Sequence, residues 1–133
     1  MQQEVIIKRT GIQRIIYTFV HSYNGFKWLC RNEAAFQQEL MLLVPLTVFA
    51  FWLDLPALHT LLVMLSMIFV LFAEMVNTAI EAVVDRVGLE FHTLSGVAKN
   101  IGSALVLLSM VCSLAVWSVV LWINYAGQWL STV

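Results

Sequence analysis

The sequence predicts an all-α membrane protein, built from an N-terminal amphipathic interfacial helix and three transmembrane helices. Three observations predict this class. Hydrophobic residues make up 61% of the 133 residues and charged ones only 11%, against about half and a quarter in soluble domains. Apolar stretches at 40–53, 57–84 and 101–125 are separated by short polar or turn-forming segments. All the cations fall in two regions of the chain. The whole reads as a single membrane domain over residues 1–133, with helices near 10–32, 34–53, 57–85 and 98–126.

Residues 1–9 are polar and expected to be loosely ordered. From Gly11 to Arg31, apolar residues (Ile12, Ile15, Ile16, Phe19, Val20, Tyr23, Phe26, then Leu29 or Cys30) recur at helical spacing. Arg14, His21, Asn24, Lys27 and Arg31 fall mostly between them. A basic, aromatic-bearing amphipathic helix of this kind lies in a membrane interface. Asn32 to Glu39 interrupt it with polar residues that remain helix-compatible. The apolar run 40–53 is short for a span of about 20 residues and reaches that length with the Ala34–Phe36 end included. Pro45 within it is expected to loosen one turn. Asp54-Leu55-Pro56 is a tight turn, with Trp52 at the level where interfacial aromatics gather. A second span follows from Ala57, then a polar loop at 85–98, then a third span whose start Ser95 is placed to cap. Trp117, Trp122 and Trp129 crowd the far end of that span.

Lys8, Arg9, Arg14, Lys27, Arg31, Arg86 and Lys99 are all the Lys and Arg residues. None lies in the 54–60 turn or the C-terminal tail. Excess cations mark the cytoplasmic side, so the N-terminus and the 86–99 loop are expected in the cytoplasm and the C-terminus outside. The first thirty residues lack the apolar core and small-residue cleavage site of a secretory signal. The apolar segments themselves are expected to direct the chain to the membrane. Cys30 and Cys112 form neither metal spacing nor a disulfide framework and read as small apolar residues.

The second span carries the chemistry. Glu74, Asn77, Thr78, Glu81 and Asp85 stand at i, i+3, i+4, i+7 and i+11, one stripe of a helix at about 100° per residue. An ionisable group inside a span costs about 2.5–3.5 kcal/mol at its centre on insertion scales. Helix–helix glue is the bland explanation, but two acids, an amide and a hydroxyl in a row exceed what glue needs. Glu74 and Glu81 are about 10 Å apart along the axis, too far to hold one ion together. The deeper Glu74 suits a general base acting on a lipid hydroxyl. The shallower Glu81 suits a hard cation such as Mg²⁺, with Glu33 at the same level to complete the site. Lys99 can neutralise a phosphate oxygen. Together these describe phosphoryl transfer to a membrane substrate. There is no Gly-rich phosphate loop, so a nucleotide site would be built from helix ends and the polar loop. In that loop Glu90 and His92 either touch a base or ribose or are simply solvated.

Three blocks in order resemble the prokaryotic diacylglycerol kinases, and the resemblance covers nearly the whole chain. They are Asn32-Glu33-Ala34-Ala35-Phe36-Gln37-Gln38-Glu39, then Glu74-x-x-Asn77-x-Ala79-Ile80-Glu81-Ala82-Val83-Val84-Asp85-Arg86, then Leu94-Ser95-Gly96-x-Ala98-Lys99. The first block looks like the Gram-negative branch; the related undecaprenol kinases share the second. The resemblance implies a homotrimer of nine spans in the bacterial inner membrane, converting diacylglycerol and ATP to phosphatidic acid and ADP in lipid recycling. It implies that Glu74 is the catalytic base and that Glu33 and Glu81 hold Mg²⁺ with the ATP phosphates. It places Arg14, His21, Glu33, Glu81, Glu90, Phe91, His92, Lys99 and Asn100 around the nucleotide. It places Thr18, Phe19, Val20, His21, Ser22, Tyr23, Ala35, Phe36, Gln37, Gln38, Glu39, Trp52, Leu53, Asp54, Leu55, Glu74, Ser103 and Trp117 against the lipid. Asn77 and Asp85 support the site. Because the family's site is shared between subunits, the interfacial helix and second span of one site are expected to come from different protomers. Two positions depart from the family pattern. The family usually has Lys-Asp where this chain has Lys99-Asn100, and usually Tyr where it has His21.

Two other readings stand beside this one. An undecaprenol kinase would run the same chemistry on a polyprenol, and nothing in the spans discriminates the two alcohols. A small non-catalytic membrane protein, an assembly factor or channel subunit, would use the acidic stripe as packing and bind no ATP. No nucleic-acid partner is expected.

Overall fold

A computed structural model of the chain describes residues 10–126. The expectations for residues 1–9 and for Trp129 lie outside the described residues. Four α-helices follow in order: α1 (Gly11–Asn32), α2 (Ala34–Trp52), α3 (Ala57–Val87) and α4 (Thr93–Leu121), the last continuing into a π-helical turn at Trp122–Ala126. There is no strand among the described residues.

α1 carries its apolar residues without protein cover. Ile12, Phe19 and Tyr23 are 76%, 73% and 66% exposed, and Leu29 is the buried residue of the helix. A helix with this exposure is stable where lipid covers its apolar side. Its packing is with α2. Between the two helices Glu33 has extended backbone (φ −107°, ψ 108°). Its N–H still donates to Leu29 O at 3.0 Å, and its carbonyl accepts from Gln37 N at 3.1 Å. One residue therefore closes α1 and opens α2. Gln37 Nε2 donates across this elbow to Cys30 O at 3.2 Å.

α2 continues through Pro45. The turn after it places Asp54 at φ 50°, a left-handed conformation that Asp tolerates better than most residues. α3 then runs for 31 residues, about 46 Å at 1.5 Å per residue, against a hydrocarbon core of about 30 Å. His92, rather than the expected Ser95, caps α4: its Nδ1 accepts from Leu94 N at 3.2 Å. The helix starts at Thr93, so Ser95 lies inside its first turn, too late to cap it.

α2, α3 and α4 through Ala126 are each long and apolar enough to cross a membrane, with mean hydropathies of 1.5, 2.1 and 2.5. The chain is a multi-pass membrane protein. α3 and α4 form the longest pairing, and α2 lies on α3. Near the 53–56 turn they enclose an apolar core of Ala50, Leu55, Val63, Met67 and Val120. Phe49 stacks there between Trp52 at 6.0 Å and Trp117 at 6.2 Å. Toward the 88–92 loop the buried face of α3 turns polar.

Candidate active site

The acidic stripe faces inward. Glu74, Asn77 and Thr78 are only 4%, 8% and 7% exposed, Glu81 is half-buried and Asp85 is exposed. Counting from Ala57, Glu74 sits about 26 Å along α3 and Glu81 about 36 Å. Along the helix, Glu74 is thus a little less than one hydrocarbon thickness from the start of α3, and Glu81 a little more. Asn77 Nδ2 donates to Glu81 Oε1 at 3.2 Å, the one-turn spacing at which helical side chains meet. The elbow at Glu33 stands beside this stripe. Both Glu33 and Glu81 lie close enough to Glu74 to act on its charge, as Glu74 does on Glu39.

Among the described residues, several buried side-chain polar atoms have no hydrogen-bond partner: Glu39 Oε2, Thr47 Oγ1, Asn77 Oδ1 and Thr78 Oγ1. Each such group costs about 1–3 kcal/mol when left unpaired. Three of the four belong to the stripe or to the acid beside it. Among the described residues no three His, Cys, Asp or Glu side chains gather to form a metal site by themselves. Glu33 and Glu81 supply oxygen donors alone. That suits Mg²⁺, which binds through one or two carboxylates and completes its shell with water and substrate phosphate.

The loop after α3 frames a second part of the site. Asp85, Glu90, Phe91, His92 and Lys99 line one cavity of about 370 Å³ with Gly88, Ser95 and Gly96. Lys99, read from sequence as a charge for phosphate, is paired: its Nζ lies 2.6 Å from Asp85 Oδ1, with the two side chains 40% and 47% exposed. An ion pair this exposed is worth about 0–1 kcal/mol. It therefore aims the lysine over the cavity without locking it. His92 uses Nδ1 for its cap, which leaves Nε2 as the ring edge that can reach a ligand.

The remaining expected residues are not gathered around that cavity. Arg14, His21 and the Thr18–Tyr23 stretch lie on the exposed helix α1, where Thr18 Oγ1 donates to Arg14 O at 2.9 Å and the His21 ring lies 6.1 Å from that of Tyr17, tilted 39° to it. Asn100 and Ser103 are exposed on α4. Of the expected lipid contacts, Phe36 is 2% exposed at the elbow, with Ala35 and Gln37 half-buried and Gln38 exposed beside it. Glu39 and Trp117 line an apolar groove of about 460 Å³ between α2, α3 and α4. Trp52, Leu53, Asp54 and Leu55 form the far turn, linked to Trp117 through the Phe49 stack. Sequence reasoning missed two contributors: the His92 cap, and Gly102, which packs directly on Asn77. A lone glycine inside an apolar helical run was the available signal for the second.

A buried polar face of this kind at one end of a membrane helix bundle marks a functional site within a membrane protein. The family model described as Prokaryotic diacylglycerol kinase matches residues 20–121. The chain is 42% identical over 116 residues to the diacylglycerol kinase of Escherichia coli K12, covering 87% of this chain and 95% of that protein. It is 38% identical over 117 residues to that of Haemophilus influenzae, covering 86% and 97%, and 39% identical over 113 residues to that of Pseudomonas aeruginosa, covering 85% and 92%. The chain belongs to the prokaryotic diacylglycerol kinase family. That membership decides against a non-catalytic assembly factor or channel subunit.

Proposed function

We propose that this protein transfers the γ-phosphoryl group of ATP to the free hydroxyl of diacylglycerol, yielding phosphatidic acid and ADP. The observation that carries this is the position of Glu74: a carboxylate 4% exposed, one hydrocarbon thickness along α3, where a lipid headgroup hydroxyl ends. Glu74 takes the hydroxyl proton as its oxygen bonds to the γ-phosphorus. The bond from that phosphorus to the β–γ bridging oxygen breaks, and ADP leaves with the electron pair. Glu33 and Glu81 would hold Mg²⁺, which would offset charge on the phosphates. Asn77 keeps the Glu81 carboxylate in place. Lys99 turns from Asp85 to the phosphates, and Glu90, Phe91, His92, Asn100, Arg14 and His21 complete the nucleotide site. Glu39, Trp117 and the turn at Trp52–Leu55 meet the lipid. Arg14, His21 and the rest of α1 lie outside the loop cavity, in keeping with a homotrimer of nine spans whose sites join α1 of one protomer to α3 of another.

The site lies at the cytoplasmic face of the bacterial inner membrane, with the C-terminus periplasmic. Support comes from the cations at the N-terminus and at Arg86 and Lys99. In a background lacking Cys30 and Cys112, Ser95→Cys is expected to resist a membrane-impermeant thiol reagent in intact cells, whereas Ser131→Cys is labelled. The reverse pattern overturns the orientation.

Incubation of the purified protein with labelled ATP and dioleoylglycerol in mixed micelles, with and without Mg²⁺, tests the activity. Labelled phosphatidic acid is expected only with Mg²⁺. Running undecaprenol beside dioleoylglycerol separates the two lipid alcohols, and preferential labelling of the polyprenol overturns the assignment of substrate.

A further inference from the structure

Gly102 is buried in α4 where that helix crosses the acidic stripe of α3. A β-carbon on Gly102 would collide with Asn77 Oδ1, while lying 3.3 Å from Asn77 Cγ and 3.6 Å from Asn77 Cα. The backbone separation is ordinary contact, so the obstruction is the amide itself. Gly25, Gly88 and Gly96 have nothing within 4 Å of such an atom. Nor can the amide swing aside freely. Asn77 is 8% exposed, and its Nδ2 donates to Glu81 Oε1 at 3.2 Å. Glycine in mid-helix is about 0.8–1 kcal/mol less favourable than alanine, so local preference argues against it here and the close approach argues for it.

We infer that Gly102 is a positioning residue for the reaction. Its missing side chain lets the α4 backbone lie against Asn77 Oδ1, and that contact holds the amide in the rotamer that presents Nδ2 to Glu81. A methyl group at 102 forces α4 outward or rotates the amide, and either movement takes the donor from the Glu81 carboxylate. The inference rests on the proposed role of Glu81 toward Mg²⁺.

The test compares the full-length wild-type protein with Gly102→Ala, Asn77→Ala, the double variant and Gly25→Ala, in mixed micelles with dioleoylglycerol and ATP. A hydrogen bond to a charged group is worth roughly tenfold or more. Gly102→Ala is therefore expected to raise the Mg²⁺ concentration for half-maximal activity, and to lower kcat, by about tenfold each. KM for dioleoylglycerol should stay within about twofold, as expected for sites that do not share partners. Gly25→Ala carries the same propensity change without the contact and should move none of these. Once the amide is gone, adding Gly102→Ala to Asn77→Ala should cost nothing more, either in Mg²⁺ requirement or in the thermal midpoint of the micellar protein. Wild-type Mg²⁺ dependence in Gly102→Ala, or an equal loss in both backgrounds, overturns the inference. If Gly102→Ala does not fold, the double variant decides: a folded protein supports the contact, and an unfolded one overturns it. An unchanged Mg²⁺ titration in Glu81→Ala would instead refute the metal assignment, leaving the Gly102–Asn77 contact to be judged by the thermal midpoints.

Discussion

At the end of the bundle near the 53–56 turn, side chains are packed or paired. Val63, Met67 and Val120 are buried together. Asn124 bonds His59 Nδ1 at 2.8 Å and donates to Val120 O at 2.7 Å, and Tyr125 Oη donates to Leu53 O at 2.6 Å. The π-helical turn at Trp122–Ala126 contains both of these residues. At the end near the 88–92 loop, the same two helices bury Glu74, Asn77 and Thr78, and leave Asn77 Oδ1 and Thr78 Oγ1 without partners. Membrane helices use polar bonds as glue, and the turn end shows what finished glue looks like. The loop end gives up that economy. Its polar groups are held in place but not used up, as a site awaiting substrate requires. Among the buried partnerless atoms of the described residues, Thr47 Oγ1 in α2 fits neither description.

The sharpest way to break this contrast is at Glu74. Glu74→Gln keeps the shape and removes the proton acceptor, so turnover should fall by about 10²–10⁴-fold while nucleotide binding and assembly persist. Retention of more than about a tenth of wild-type turnover contradicts the role of base. Next in size are Glu81→Ala and Glu33→Ala, each of which removes an oxygen ligand. Each should raise the half-saturating Mg²⁺ concentration by about tenfold or more, more than it raises KM for the lipid. An unchanged Mg²⁺ titration removes that residue from the ligand set. At the turn end, Asn124→Ala should cost about 1–2 kcal/mol of stability through its two lost bonds, read as a lower thermal midpoint, with kcat unaffected. A loss of turnover at constant stability would mean the two ends are not separate. The smallest effect belongs to Asn100→Asp, which restores the acid usual in the family beside Lys99. It should lower the Mg²⁺ requirement severalfold. Repulsion between the new carboxylate and the phosphates works the other way, at about 4 kcal/mol for unit charges 4 Å apart at an effective dielectric near 20. A higher requirement would therefore show that no metal stands between them.

The sequence made the stripe on α3 legible because helical periodicity alone puts Glu74, Asn77 and Glu81 on one face, and burial in lipid makes that face conspicuous. The three spans were legible for the same reason. What required the structure was how the helices lie against each other. The Lys99–Asp85 pair depends on the register of α4 against α3, and the Gly102–Asn77 contact on how closely the two backbones approach. Neither quantity is encoded in the periodicity of one helix. The break at Glu33 was legible as the gap between the helices expected near 10–32 and 34–53. Only the backbone shows that Glu33 serves both α1 and α2. The cap moved from Ser95 to His92 because the imidazole, like a serine oxygen, offers an acceptor to an orphan amide, and it stands one residue before the helix.

The central claim is that the unpaired polar end of α3 and α4 performs the chemistry while the paired end supports the fold. It is tested most directly by measuring phosphatidic acid formation and thermal midpoint together on Glu74→Gln and Asn124→Ala. A crossed result is expected: Glu74→Gln loses turnover and keeps stability, because the amide fills the same space, whereas Asn124→Ala loses stability and keeps turnover. If Glu74→Gln instead unfolds the protein while retaining activity in the folded fraction, the stripe is packing and the account is wrong.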